Sequence, residues 1–279
     1  MVVLAGLSRN DPKGRVIMTR ENWLAGQNVL VSGGTQGLGA AIARAAAARG
    51  AGAVTVTGRS VAPGQALVAE LEAAGTPARF LPTDLSDVTQ ARASVAGAIT
   101  AFGHLDCVVN AAGVTSRGTM LTTTPDLFDS HIAVNLKAPF FIMADTIRHL
   151  RDRGAPGSIV NIISIAELGG QPYLAPYVAA KAGLAGVTRN AAHAHRWDKI
   201  RINGIDIGWT ATDAEAKVQR DEHGAGEDWL AQADASVPMG RISRPEHVAE
   251  FAIFLLSERA GVVTGSVIDW DQQVIGGQD

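Results

Sequence analysis

Residues 28–39 read NVLVSGGTQGLG, an apolar run that ends in a glycine-rich turn. The apolar part has the composition of a short buried strand, and the Ala-rich stretch from residue 37 to residue 49 is typical of a helix. Glycines at such a turn let the backbone approach a diphosphate closely, and the helix N-terminus offers unpaired N–H groups to its oxygens. The turn therefore predicts a dinucleotide-binding site, with a purely structural turn as the alternative. The residues expected to contact the ligand here are Gly33, Thr35, Gln36, Gly37, Leu38 and Gly39.

Apolar strands alternate with helices from this turn to the end of the chain. Further strands are predicted at residues 53–57, 78–81, 105–110, 158–163, 200–206 and 266–269, and helices at residues 37–49, 64–74, 89–101, 125–151, 176–197 and 245–257. Because buried strands that are each followed by a helix form parallel sheets covered on both faces, the pattern predicts an α/β fold. We expect one Rossmann-type domain over residues 23–279, with a doubly wound sheet of seven parallel strands.

Two segments fall outside this alternation. Residues 210–236 are polar and helix-prone, and they follow a strand at the sheet edge where α/β folds bind ligands, so a small helical lid is predicted there. Residues 1–22 precede the first strand of the pattern. They are predicted to be a disordered N-terminal extension. Because the stretch that begins at Met18 reads like a natural start, residues 1–17 are either a disordered extension or a wrongly assigned start.

The composition narrows the classes of function. With 279 residues, 47% of them hydrophobic, the chain can bury a large core. A net charge of −3 gives no electrostatic reason to expect nucleic acid as a partner. No apolar run is long enough to span a bilayer and the N-terminus lacks the basic region of a signal peptide, so a cytoplasmic location without a membrane partner is predicted. The histidines show no metal-binding spacing, which predicts that no metal is bound.

The end of the second predicted strand bears on the choice of cofactor. Residues 57–60 read TGRS, without the carboxylate that holds the ribose 2′-hydroxyl of NAD in dinucleotide folds. Arg59 offers a planar guanidinium suited to a 2′-phosphate, so the sequence favours NADP(H), with NAD(H) as the alternative. An ordinary surface arginine is the structural interpretation of the same residue.

A tyrosine and a lysine four residues apart predict proton transfer. Tyr177 and Lys181 lie near the start of a predicted helix, where that spacing places both on one face. A free tyrosine has a pKa of about 10, and a nearby ammonium favours the phenolate, so Lys181 is expected to lower the pKa of Tyr177. Ser164 follows the strand predicted at residues 158–163, and its hydroxyl is expected to hold a substrate oxygen beside Tyr177.

These motifs together resemble those of the short-chain dehydrogenase/reductase family, in its single-domain branch. The resemblance covers about residues 23–275. It is carried by SGGTQGLG at residues 32–39, Asp84 with Leu85, NAAG at residues 110–113, Asn135 in VNLKAPF, Ser164, and Tyr177 with Lys181. It implies an NAD(P)-dependent enzyme that transfers a hydride between nicotinamide and a carbonyl or secondary alcohol. It also implies a homo-oligomer, a tetramer or a dimer.

The resemblance implies roles for single residues. Tyr177 would be the acid in reduction and the base in oxidation, while Lys181 would lower its pKa and bind the nicotinamide ribose. Ser164 would position the substrate oxygen, and Asn135 would hold a water in a proton relay. The further cofactor contacts implied are Asp84 and Leu85 at the adenine, Asn110, Ala111, Ala112 and Gly113 at the ribose and diphosphate, and Thr210 and Thr212 at the nicotinamide carboxamide.

The chain departs from the family pattern at three places. Residues 207–208 read Ile-Gly where Pro-Gly is usual, and Ala111 replaces the second asparagine of the usual Asn-Asn-Ala-Gly. Residues 267–272 read VIDWDQ in place of an apolar strand that runs into Asp-Gly-Gly. None of these changes falls on the proton-transfer residues.

The loops expected to face the substrate are polar and of mixed charge. Their side chains are Arg117, Glu167, Gln171, Tyr173, Lys217, Arg220 and His223. A long apolar substrate would predict more Leu, Phe and Met, so a small polar substrate such as a sugar, sugar acid or polyol is favoured. Two alternatives are a non-catalytic NAD(P)-binding sensor or scaffold on the same fold and a sugar-nucleotide epimerase or dehydratase. The complete set of proton-transfer residues disfavours the first, and the short chain disfavours the second.

Overall fold

Two short strands precede the main fold. The computed structural model of the chain describes residues 9–10, 16–17 and 22–274, and β1 (Arg9–Asn10) pairs antiparallel with β2 (Val16–Ile17). Apart from these four residues and Asn22, the extension predicted at residues 1–22 lies outside the described residues, so its disorder stays a prediction.

The main sheet has a central strand, β6 (Cys107–Asn110), that is buried over its whole length. Its strands are β3 (Asn28–Ser32), β4 (Ala53–Gly58), β5 (Ala78–Pro82), β6 (Cys107–Asn110), β7 (Gly157–Ile162), β8 (Ile200–Ile207) and β9 (Val267–Trp270). The seven strands lie in the order β5-β4-β3-β6-β7-β8-β9, and every neighbouring pair is parallel. The predicted Rossmann-type sheet is confirmed.

Helices cover both faces of this sheet. They are α1 (Gly37–Ala48), α2 (Val61–Ala73), α3 (Val88–Phe102), α4 (Pro125–Ile132), α5 (Ala138–Arg153), α6 (Ala175–His195), α7 (Asp213–His223), α8 (Trp229–Ala235) and α9 (Pro245–Leu256). On one face, Ile42 of α1 and Ile253 of α9 belong to the same buried cluster as the strands beneath them. On the other face, Ile142 of α5 and Leu184 of α6 do the same. Apolar residues therefore cover the inner strands from both sides, which explains why β3, β4 and β6 show no alternation.

The helix predicted as one unit at residues 125–151 is divided into two. A π-helical turn, Ala133–Lys137, separates α4 from α5, so the single-helix prediction is wrong in detail. Thr124 caps the start of α4, because its side chain accepts a hydrogen bond from the N–H of Leu127. Pro125 occupies the first turn of α4 without disturbing it. Periodicity does not predict the π turn, because one extra residue in a turn leaves the apolar pattern on either side intact.

The strand predicted from residue 105 begins two residues later, at Cys107. Leu105 is fully buried but its backbone binds side chains: its N–H donates to His149 Nε2 at 3.1 Å, and its carbonyl accepts from Arg153 at 3.0 Å. The apolar run is therefore buried as predicted, and side chains of α5 take the place of a neighbouring strand at its start.

The segment predicted as a lid, residues 210–236, contains α7 and α8. Thr212 precedes α7, and its hydroxyl accepts a hydrogen bond from the N–H of Glu215 at 3.1 Å. A Cβ placed on Gly37, at the start of α1, would lie 3.8 Å from Thr212. The first residues of this segment therefore lie beside the glycine-rich turn.

A chain of buried hydrogen bonds joins two strands to α6. Asn110 Nδ2 donates to Asn161 Oδ1 at 2.8 Å, and Asn161 Nδ2 donates to the hydroxyl of Thr188 at 2.8 Å. The Thr188 hydroxyl donates in turn to the carbonyl of Leu184 at 2.7 Å. Because Asn161 and Thr188 are fully buried, each link satisfies a polar group that water does not reach.

We expect Thr188→Val to destabilise the fold by about 1–3 kcal/mol. The change keeps the volume of the side chain but leaves a donor of the buried Asn161 without its oxygen partner. Urea unfolding of the two proteins measures the difference. Thr100→Val, on the exposed face of α3, is the control and should change stability by about 0.5 kcal/mol or less. Equal effects of the two changes would contradict the role given to the buried chain.

Candidate active site

A cavity opens where the strand order reverses. After β3 the chain runs outward through β4 and β5, then returns to place β6 on the other side of β3. The crevice at the carboxyl ends of these strands holds a cavity of about 740 Å³. The predicted residues that line it are Gly33, Thr35, Gln36, Gly37, Leu38, Gly39, Arg59, Asp84, Leu85, Ala111, Ala112, Gly113, Tyr177, Lys181 and Thr212.

The glycine-rich turn forms the floor of the cavity. Gly33 has a φ of +77°, and a Cβ placed on it would lie 2.6 Å from the Cα of Ala112. A Cβ on Gly39 would lie 2.1 Å from the carbonyl oxygen of Gly33. Both positions therefore require glycine, one for its backbone conformation and both for space.

The first N–H groups of α1 are open to this cavity. No side chain caps the helix at Gln36, and its first turn holds no acidic residue. Open N–H groups and the positive end of the helix dipole favour an anion at this place. The cradle therefore fits the diphosphate of a dinucleotide, which would rest on the residues from Gly33 to Gly39.

The far end of the cavity carries an arginine and an aspartate. Arg59 follows β4 and no carboxylate stands at the end of that strand, as the sequence indicated. The pKa of the Asp84 carboxyl lies below its usual range because Ser86 donates to it from its backbone N–H at 3.0 Å and its hydroxyl at 2.8 Å. The charge of Arg59 lowers this pKa further, so the two side chains face a common space.

Tyr177 and Lys181 lie on the buried face of α6, at the inner end of the cavity. Their side chains are 8% and 3% exposed. Lys181 Nζ donates to the carbonyl of Ile162 at 2.7 Å and lies 5.6 Å from the centre of the Tyr177 ring. Ser164 begins a short helix, Ile165–Leu168, where its hydroxyl accepts from the N–H of Ala166. The structure therefore places the lysine, the tyrosine and the serine together.

The pKa of Tyr177 is shifted in the direction opposite to the expected one. It is raised to about 12, mainly by burial and also by the charge of Asp206, while a hydrogen bond with the Ser164 side chain acts to lower it. Burial also lowers the pKa of Lys181 to about 8, and the Asp206 charge opposes that shift. The expectation overlooked burial: both groups lie in a site with little water, which favours the neutral phenol and the neutral amine. Tyr177 is therefore a phenol at neutral pH.

Asn135 holds the wall of the cavity and does not line it. Its Oδ1 accepts from the N–H of Val114 at 2.9 Å, and its Nδ2 donates to the carbonyl of the same residue at 2.9 Å. The π turn places Asn135 for this contact. The Nδ2 also lies 3.1 Å from His131 Nδ1, and the His131 ring meets the Tyr177 ring edge-on at 6.1 Å. The wall is thus tied to the tyrosine through two buried side chains.

Two predicted cofactor contacts are not brought to the cavity. The Asn110 amide binds Asn161 inside the sheet, and the Thr210 hydroxyl donates to the carbonyl of Gly208 at 3.0 Å. Lys217, which was expected to face the substrate, lines the cavity, and so do residues that were not predicted, among them Thr115, Ser130, Val134, Asp213 and Ala214. They belong to segments that the sequence placed at this edge, but no motif marks them. Asp206, near the end of β8, was also missed, although a carboxylate in a buried strand is a signal.

Polar side chains from three segments meet above the cavity. Arg117 stacks on the Tyr173 ring at 4.9 Å, and its Nη2 lies 2.9 Å from His223 Nε2 at the end of α7. Trp209 Nε1 donates to Glu215 at 2.7 Å. The substrate loops and the lid segment therefore contact one another through polar groups.

Neither a metal cluster nor a membrane-spanning helix accompanies this cavity in the described part of the chain. Among residues 9–10, 16–17 and 22–274, no three His, Cys, Asp or Glu side chains are grouped so as to hold a metal ion. Over the same ranges, no helix has the length and apolar character needed to cross a bilayer.

Known proteins are similar to this chain over most of its length. A family model described as enoyl-(acyl carrier protein) reductase matches residues 33–272. An L-rhamnose 1-dehydrogenase (NAD(P)(+)) from Sphingomonas sp. (strain SKA58) is 32% identical over 245 residues, covering 88% of this chain and 94% of that protein. A 2,5-dichloro-2,5-cyclohexadiene-1,4-diol dehydrogenase from Sphingobium indicum is 33% identical, covering 89% and 96%. The crystal structure of a 3-oxoacyl (acyl-carrier-protein) reductase from Agrobacterium tumefaciens C58 with NADP bound superposes with a TM-score of 0.79 at 29% identity, covering 88% and 93%.

We expect Gly33→Ala to abolish dinucleotide binding. The new methyl group would meet Ala112 at 2.6 Å, so the turn must move away from the position that the diphosphate needs. Gly75→Ala is the matched control, because Gly75 also has a positive φ of +90° but a Cβ placed on it would have no atom within 4 Å. Both variants should lose about 1 kcal/mol of stability from backbone strain. Titration of nicotinamide fluorescence should show lost binding for Gly33→Ala alone; unchanged binding there would contradict the assignment of the turn.

Proposed function

This chain belongs to the short-chain dehydrogenase/reductase family, and we propose that it transfers a hydride between NADP(H) and a small polar carbonyl or alcohol substrate. The chain is an NAD(P)-dependent oxidoreductase that acts on CH–OH groups, so the prediction from the sequence that it is an enzyme is confirmed. The proposal adds three finer statements, which concern the catalytic residues, the cofactor and the substrate class.

One observation carries the catalytic assignment: Tyr177 and Lys181 line the inner end of the cavity, and the side chain of Ser164 is hydrogen-bonded to Tyr177. A substrate oxygen between the hydroxyls of Tyr177 and Ser164 would be held by both, and Tyr177 would give it a proton during reduction or take one during oxidation. Lys181 would offer its free N–H groups to a ribose hydroxyl, since its hydrogen bond to Ile162 uses only one of three. The bound nicotinamide supplies or accepts the hydride.

The cofactor preference rests on Arg59. Its guanidinium lines the cavity at the end of β4, where a 2′-phosphate would lie, and no carboxylate stands there to bind a 2′-hydroxyl. A fork of N–H donors suits a phosphate better than a hydroxyl. We therefore propose NADP(H) as the preferred cofactor and NAD(H) as the weaker one.

The substrate class rests on the polar groups above the cavity. Arg117 contacts both the Tyr173 ring and His223, and Glu167 lies 3.8 Å from Arg189. Hydroxyl-rich substrates suit such a surface, because each hydroxyl can both donate and accept hydrogen bonds. The similarity to an L-rhamnose dehydrogenase supports the same class. We propose a sugar, sugar acid or polyol, to be identified in a screen that also includes hydrophobic ketones.

The proposed assembly is a homo-oligomer. A groove of about 780 Å³ lies between α5 and α6 and is lined by Phe140 and Trp197, both exposed. Exposed aromatic side chains beside small residues such as Ala191 and Ala194 support contact with a second copy. The tetramer or dimer and the cytoplasmic location both stay predictions.

Tyr177→Phe should retain cofactor binding and lose nearly all turnover. The change removes the proton that the substrate oxygen receives and keeps the ring, so kcat should fall by about 10²–10⁴ while the Kd for NADPH changes little. Tyr173→Phe is the control, since Tyr173 is the chain's other tyrosine, and it should alter KM more than kcat. Steady-state kinetics with the substrate from the screen tests this, and a Tyr177→Phe enzyme with most of its kcat would exclude the mechanism.

Arg59→Ala should weaken NADPH binding by about tenfold or more, which corresponds to about 1.4 kcal/mol, and leave NADH binding nearly unchanged. The loss follows from removing the charge beside the 2′-phosphate. Arg79→Ala makes the same change of charge at an exposed position on β5 and should affect neither cofactor. Separate titrations with NADPH and NADH measure both effects; an equal loss for the two cofactors would reject the 2′-phosphate role.

A further inference from the structure

A carboxylate is buried behind the proton-transfer pair without a partner. Asp206 belongs to β8 and is 1% exposed. Neither of its carboxyl oxygens has a hydrogen-bond partner among the described residues. Burying an ionised carboxylate without a partner is strongly unfavourable, so such a group requires an explanation.

Titratable side chains on three other elements interact with Asp206. Lys181 reaches the same place from α6, because its Nζ donates to the carbonyl of Ile162, and Ile162 pairs with Ile205, the residue before Asp206. Tyr177 also interacts with Asp206 from α6, and Glu167 does so from the short helix Ile165–Leu168. Asp269 is the register partner of Asp206 on β9. Glu167 has Arg189 3.8 Å away. The backbone N–H of Ser164 lies near the Asp206 carboxyl, but it does not meet the geometry of a hydrogen bond. The pKa of Asp206 is raised to about 7, mainly by burial and also by the charges of Glu167 and Asp269, while the Ser164 N–H and the charge of Lys181 act in the opposite direction.

Lys181 has little else to stabilise its charge. Within the described residues its ammonium makes one hydrogen bond, to the Ile162 carbonyl, and no direct ion pair. A buried ammonium with one dipole partner tends to lose its proton. The charge of Asp206 is the one that opposes this loss at Lys181, and it also favours the protonated form of Tyr177. Both effects have the same sign, because a negative potential stabilises a proton on either group.

We propose that Asp206 is a positioning residue that keeps Tyr177 and Lys181 protonated, and so prepares the site to give a proton to a substrate oxygen. The inference rests on the proposed function, because it takes Tyr177 and Lys181 as the proton-transfer pair. Asp206 touches neither cofactor nor substrate: it does not line the cavity and acts through the two residues of α6.

The stability of the protein should depend on the protonation of the same carboxyl. An ordinary carboxyl has a pKa of 3.8, and that of Asp206 is raised to about 7, so between these values the folded protein holds a proton that the unfolded chain has released. Stability linked to this group therefore falls as pH rises from about 4 through 7. Asp206→Asn should raise the Tm, and by more at pH 8 than at pH 5.

The decisive experiment titrates Lys181 itself. The chain has five lysines, Lys13, Lys137, Lys181, Lys199 and Lys217, so 13Cε-lysine labelling gives few NMR signals, and Lys181→Arg identifies the one required. In the full-length free protein the Lys181 midpoint should lie near 8 and fall by about one pH unit in Asp206→Asn. Asp269→Asn removes the same charge from the exposed neighbouring strand and should not lower the midpoint.

Activity supplies the second readout. In Asp206→Asn the pH profiles of kcat for reduction and for oxidation should both shift to lower pH, whereas a purely structural role would change kcat at every pH alike. Asp206→Ala, which adds no amide, should repeat the shifts. An unchanged Lys181 midpoint in a folded Asp206→Asn protein would overturn the inference. A failure of the proposed function would differ: the wild-type protein would turn over no carbonyl or alcohol, while the Lys181 midpoint would still move.

Discussion

The contact between the backbone of Gly33 and Ala112 is the constraint on which the site depends. It lies where β3 and β6 end side by side and the chain leaves them in opposite directions. With a side chain at Gly33 the turn would be pushed away from β6, and α1 would no longer point its open N–H groups into the cavity. The sheet, the cavity floor and the direction of α1 are therefore fixed by one close approach of two backbones.

Burial controls the chemistry at the other end of the cavity. Water hardly reaches Tyr177, Lys181 and Asp206, and the pKa of each is shifted in the direction that favours the neutral group. An apolar residue in place of Asp206 within β8 would be expected to give a more stable protein. Groups that reduce stability are often found where a reaction needs them, because function selects against the most stable arrangement.

The sequence predicts most of the fold and the residues that line the cavity because both depend on local pattern. Apolar runs, the glycine turn and the Tyr177–Lys181 spacing each act within a few residues. The features that were missed depend on distant contacts. Asn110 turns its amide to Asn161 on the next strand, which the order of residues does not reveal. The direction of the Tyr177 pKa shift depends on how little water reaches α6, and the importance of Asp206 depends on what β9 and α6 place around it.

The π turn at Ala133–Lys137 also sets the relation between two parts of one continuous helical segment. Each residue of an α-helix turns the side-chain direction by about 100°, so one extra residue rotates everything that follows by roughly that angle. α4 can thus direct His131 toward Tyr177 while α5 lays Ile142 and Leu150 on the sheet. Deleting one residue from this turn would leave a regular helix. In that helix, His131 could not face Tyr177 while Ile142 and Leu150 keep their places on the sheet. The segment is therefore sensitive to a change in its length.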